Sequence, residues 1–180
     1  MTTVASATPG LAAGLRRLYF VRFGFAIVWA ALLFTSASDL KPLSVTLLVL
    51  YPLFDVAAAV VDSRSSRTAA LYVNIAISSL AAVGLAVACS SGIPAVLRVW
   101  GAWAVVAGLV QLFVGLGRRR LGGQWAMILS GGISVLAGTS FIVQAGADGA
   151  TLRNLAGYAI LGGIFFLVSA LRLDRAVGGR

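Results

Sequence analysis

Residues 51–62 read YPLFDVAAAVVD, the last part of an apolar run that starts after Pro42 and stops before the first basic residue beyond it, Arg64. About twenty consecutive apolar residues form a helix that crosses ~30 Å of hydrocarbon. A carboxylate inside such a run costs several kcal/mol unless it is paired, protonated or facing water. Asp55 stands in that position. The chain therefore reads as membrane-spanning helix with a costly charge in it.

Outward from this stretch the same pattern recurs. Apolar segments of similar length cover roughly 18–35, 43–61, 69–89, 95–117, 124–145 and 152–171. The gaps are short, so neighbouring helices run antiparallel, and the absence of alternation argues against membrane strands. The expected fold is all-α, with six transmembrane helices as three antiparallel hairpins over about 18–61, 69–117 and 124–171. A flexible N-terminal tail occupies 1–15, a single membrane domain 16–175, and a short C-terminal tail 176–180.

Composition agrees. The 180 residues are 60% hydrophobic and 11% charged, where a soluble domain carries about a quarter charged residues. The net charge of +9 comes from fourteen Lys and Arg against five Asp. These cations lie in the short gaps rather than along one polar face, so positive-inside topology explains them and nucleic acid does not. One side of the membrane receives Arg16, Arg17, Arg64, Arg67, Arg118, Arg119, Arg120, Arg172, Arg175 and Arg180; the other receives Lys41, Arg98 and Arg153. Both termini are thus expected in the cytoplasm, in a multi-pass protein of the inner or plasma membrane. Tyr19, Tyr72 and Trp125 fit an interfacial aromatic belt on the cytoplasmic side and Trp100 one on the outer side.

There is no His or Glu, and Cys89 is alone. The common zinc, haem and di-iron ligand sets are excluded, as is an intrachain disulfide. No nucleophile–base pair can be assembled from the sequence. No cofactor and no enzymatic activity are expected.

Taking Pro42, Pro94 and Gly149 as equivalent origins, the chain reads as three copies of one hairpin, 52 and then 55 residues apart. Nine residues past the origin stand Tyr51, Trp103 and Tyr158. Thirteen past it stand Asp55, Ala107 and Gly162, and twenty before it Arg22, Asn74 and Leu129. The first hairpin thus replaces two small or apolar positions with opposite charges. Both fall at a similar depth on neighbouring helices, so Arg22 and Asp55 form a candidate intramembrane ion pair with Asn74 as third partner. Pro52 is expected to kink its helix and free a carbonyl near Asp55.

Other features have plainer readings. Small residues at helical spacing (Ser130, Ser134 and Gly138; Ala104 and Gly108; Ala159 and Gly163; Ala26 and Ala30) suit close packing within the bundle, with a homo-oligomer seam as the alternative. Arg118, Arg119, Arg120, Arg98 and Arg153 are candidate contacts for anionic lipid headgroups, and the bilayer is the expected partner.

YPLFDVAAAVVDSR (51–64), WGAWAVVAGLVQLFVGLGRR (100–119) and LAGYAILGGIFFLVSALRL (155–173), with prolines after odd helices, resemble the HdeD-like family of small membrane proteins. The resemblance spans about residues 15–173 and departs at Asp148-Gly149, where the third loop proline is missing. It implies an inner-membrane protein tied to acid or envelope stress, and carries no catalytic site. The leading expectation is a non-enzymatic protein of stress response or membrane homeostasis. The alternative is a small transporter or channel for protons or a small solute built on Arg22 and Asp55. A water-accessible cavity at Asp55 would favour the alternative.

Overall fold

The computed structural model describes residues 9–64, 67–117, 120 and 125–178, with side chains described between 13 and 172 in those ranges. Six α-helices follow in order: α1 (Pro9–Thr35), α2 (Pro42–Ser63), α3 (Ala69–Ala88), α4 (Ile93–Gly117), α5 (Trp125–Gln144) and α6 (Arg153–Gly178). A 3-10 turn, Cys89–Ser91, leads from α3 towards α4. Among the described residues there is no strand. All six helices are long and apolar enough to cross a membrane, which makes this a multi-pass membrane protein by architecture.

The helix bounds follow the apolar segments closely except at the two termini. Residues 9–15, expected as tail, are helical, because Pro9 fits a first helical turn and the following Leu and Ala favour continuation. At the other end α6 runs to Gly178, beyond the expected limit of the domain. Residues 1–8 lie outside the described residues.

The helices close into a ring. The most extensive interfaces join α4 to α5, α1 to α6 and α2 to α3, while α1–α2 and α5–α6 touch lightly. The tight seams therefore lie between the expected hairpins rather than inside them. Glycine decides one of these seams. A Cβ on Gly101 would sit 2.5 Å from the Gly138 carbonyl oxygen, and one on Gly108 2.7 Å from that of Gly131. The two backbones of α4 and α5 touch at both levels, as small-residue packing allows. At the α6–α1 seam a Cβ on Gly163 would lie 3.2 Å from that of Ala26. Of the small residues considered for an oligomer seam, all are buried within this bundle except Ser130, which is partly buried.

One half of the bundle is solid. Trp29, Trp100, Leu33, Leu48, Leu85, Leu97, Leu152 and Leu155 are fully buried there. Trp100 stacks on Trp29 at 5.3 Å between ring centroids. It does not belong to an interfacial belt, because it shares the inward α4 face of Val96, Leu97 and Ala104. At this end the backbone amide of Leu152 donates to the Ala37 carbonyl at 3.0 Å, tying the last link between helices to the first. Gly92 takes a positive φ of 98° after the 3-10 turn, and its carbonyl accepts the amides of Ala95 and Val96 at the start of α4.

Helix α2 continues through Pro52. The carbonyl that Pro52 leaves without its helical partner is that of Leu48, seven residues or about 10 Å from Asp55. The expected free carbonyl beside Asp55 is therefore misplaced. In the same turn the Trp29 indole donates to the Leu47 carbonyl at 2.6 Å. Trp29→Phe removes this bond and leaves part of the buried indole's volume empty, so a stability loss of about 2–4 kcal/mol is expected. The check is a lower midpoint in a detergent thermal melt; an unchanged midpoint would mean the bond contributes nothing.

Candidate functional site

Arg22 lies on α1, Asp55 on α2 and Asn74 on α3. The structure brings all three together. Arg22 donates through Nη2 to Asp55 Oδ1. Asn74 Nδ2 donates to Asp55 Oδ2 at 2.7 Å, and Ser78 Oγ donates to the same oxygen at 2.8 Å. Side-chain exposures of 17% for Arg22 and 13% for Asp55 keep the pair out of bulk water without sealing it.

A second layer holds these groups. Trp103 Nε1 donates to Ser78 Oγ at 3.2 Å, so the hydroxyl accepts from the indole while it donates to the carboxylate. That arrangement positions Ser78 rather than activating it, since its acceptor is already neutralised by Arg22. The Arg22 guanidinium also stacks 4.2 Å over the centre of the Phe166 ring on α6. Ser78 was legible in principle, because it stands one helical turn from Asn74 on the same face of α3. Phe166 had no sequence signal, since nothing in the chain announces that α6 returns to α1.

The pair opens onto a cavity of about 430 Å³ lined by all six helices. It runs from Asp62 and Thr68, at the arginine-rich ends of the helices, to Tyr51, Trp103 and Tyr158. Asp62 and Tyr51 are eleven residues apart on α2, so this length is about 16 Å. Tyr158 Oη is tied to Ser134 Oγ at 2.9 Å, as Trp103 is tied to Ser78. Beyond this layer lies the solid half of the bundle, with Trp100 5.5 Å from Tyr51 and 5.3 Å from Trp103 between ring centroids.

Asp55, Ala107 and Gly162, which occupy the same place in the three expected hairpins, all line the cavity. Where the first carries a carboxylate the other two leave room. A Cβ on Gly162 would meet nothing nearer than Tyr51 Oη at 3.9 Å. The site is one charged corner facing two small ones.

The remaining candidate residues stand apart. Arg98 and Arg153 are exposed at the end remote from the cavity, and Arg153 lies 5.5 Å from the centre of the Phe34 ring. Arg120 is exposed, whereas Arg118 and Arg119 lie outside the described residues. Among the described residues no group of three His, Cys, Asp or Glu side chains converges as a metal site would require. Compared with protein-family models, with curated proteins and with solved structures, the chain matches none.

Proposed function

We propose that this protein is a non-enzymatic carrier that takes a small solute into its central cavity and passes it across the bilayer. The observation that carries the reading is the 430 Å³ cavity that reaches Asp55 and is closed on one side by an aromatic layer and the packed half of the bundle behind it. A volume in the range of about 300–1,000 Å³ suits small ligands, as do mostly apolar walls with a few convergent polar groups. A purely structural bundle has no need of such a space in the half that also holds its buried charges. Movement of the solute requires the aromatic layer and the packed residues behind it to part, and the lightly packed α5–α6 seam, which no ion pair bridges among the described residues, is where the ring has least to lose.

The finer topology belongs to the same proposal. Three copies of one hairpin place Tyr51, Trp103 and Tyr158 at one level and Asp55, Ala107 and Gly162 at the next. Both termini face the cytoplasm of an inner or plasma membrane, so the cavity opens inward, a reading supported by the arginine bias. Arg98, Arg153 and Arg120 contact lipid phosphates. The setting in acid or envelope stress rests on the HdeD-like resemblance alone.

Accessibility tests the carrier reading. In a Cys89→Ser background, Ala107→Cys is expected to react with a membrane-impermeant thiol reagent from the cytoplasmic face and not from the other. Leu136→Cys, at a position 74% exposed on the bundle exterior, is expected to stay unlabelled in lipid. Failure of Ala107→Cys to react from either face, in a protein of normal abundance, would mean a dry bundle and would end the carrier proposal.

A further inference from the structure

We infer that the cavity selects an apolar organic cation of single positive charge, an inference that rests on the carrier reading above. The charges lining the cavity are Arg22, Asp55 and Asp62, one positive and two negative. A bound monocation brings that sum to zero. An anion would raise the imbalance between low-dielectric helix walls.

The positive group on the wall is not available to an anion. Arg22 already donates to Asp55 and its guanidinium carbon lies over the Phe166 ring. Asn74 and Ser78 point their donors at the same carboxylate. Trp103 and Tyr158 direct theirs to Ser78 and Ser134. An entering anion thus finds the charged donor and the donors around the carboxylate engaged, and is left with neutral hydroxyls and the Gln111 amide, which carry no charge to offset its own.

A cation finds the reverse. Tyr19, Tyr51, Trp103, Tyr158, Phe165 and Phe166 all line the cavity. Rings attract a cation through their negative faces, and more strongly where water is scarce. Arg22 is an internal example of the chemistry, a planar cation held between a carboxylate and an aromatic face. Asp55 lines the cavity together with Asp62, so a cation needs no hydrogen-bond donor to be attracted to both carboxylates. The room for the ligand's body lies against Ala107 and Gly162 on the facing helices.

The test uses pairs of probes alike in shape and different in charge. Tetraphenylphosphonium is compared with tetraphenylborate, and phenyltrimethylammonium with neutral tert-butylbenzene, on the full-length protein in lipid nanodiscs. In each pair the cation is expected to bind at least about tenfold more tightly, as a desolvated cation–π and carboxylate site implies. Gly162→Phe fills open space rather than backbone, so it should abolish cation binding while the thermal midpoint stays within a few degrees. Asp62→Asn, at the mouth, should weaken binding several-fold and reduce its salt dependence. Equal affinity within the pairs, preference for the anion, or no cation binding in a protein whose Ala107→Cys position labels from the cytoplasm would each overturn the ligand class and leave the cavity reading standing. No labelling and no binding would remove both.

Discussion

Gly138→Ala is expected to destabilise the bundle by about 3 kcal/mol or more, the upper range for a methyl forced into packed structure. Its Cβ would stand 2.5 Å from the Gly101 carbonyl oxygen and 2.9 Å from both the backbone nitrogen and a side-chain methyl of Val105. Two of these three atoms are backbone, so relief needs α4 and α5 to separate along their whole contact. That separation would also open the level of Gly108 and Gly131, which meet in the same way. Gly132→Ala on the same helix is the matched control. No atom lies within 4 Å of its Cβ, and alanine favours helix over glycine by up to ~1 kcal/mol. The midpoint of a size-exclusion thermal melt should fall by about 10 °C for Gly138→Ala and stay level or rise for Gly132→Ala. Equal behaviour of the two variants would refute the backbone-contact account of the α4–α5 seam.

The second large effect concerns the ion pair. Asp55→Ala leaves the Arg22 guanidinium facing Phe166 without its carboxylate and leaves Asn74 and Ser78 without their acceptor. Removing one partner of a largely buried pair costs about 3–5 kcal/mol. Arg22→Gln is expected to cost less, because the carboxylate keeps its bonds from Asn74 and Ser78 and faces the cavity. The double variant Arg22→Gln/Asp55→Asn removes both charges and should recover most of the stability lost in Asp55→Ala. Midpoints of all three, with membrane abundance measured in parallel, decide the matter. Losses in the double variant as large as in Asp55→Ala would mean that the charges do not act as a pair.

The candidate site was partly legible in the chain because two of its cues are local. A charge inside an apolar run is expensive wherever the run goes, which singles out Arg22 and Asp55. Their similar depth, with that of Asn74, follows from counting residues along helices that must span the same slab. Ser78 needed only one further step along α3. The free carbonyl near Asp55 failed because a proline releases the carbonyl one turn before it, on the side away from the carboxylate.

By itself the sequence determined six helices long and apolar enough to cross a membrane, where each falls to within a few residues, and which residues carry a charge that needs a partner. These follow from length, hydropathy and charge, which act along the chain. The tertiary structure decided that α1 meets α6, that the tight seams are α2–α3, α4–α5 and α6–α1, that Trp100 stacks on Trp29 inside the bundle, and that a cavity stands before Asp55. The reason is the solvent. In lipid the outward face of a helix is as apolar as its inward face, so periodicity does not say which side is core. Small residues permit close approach, but only the fitted backbones decide which helix comes near.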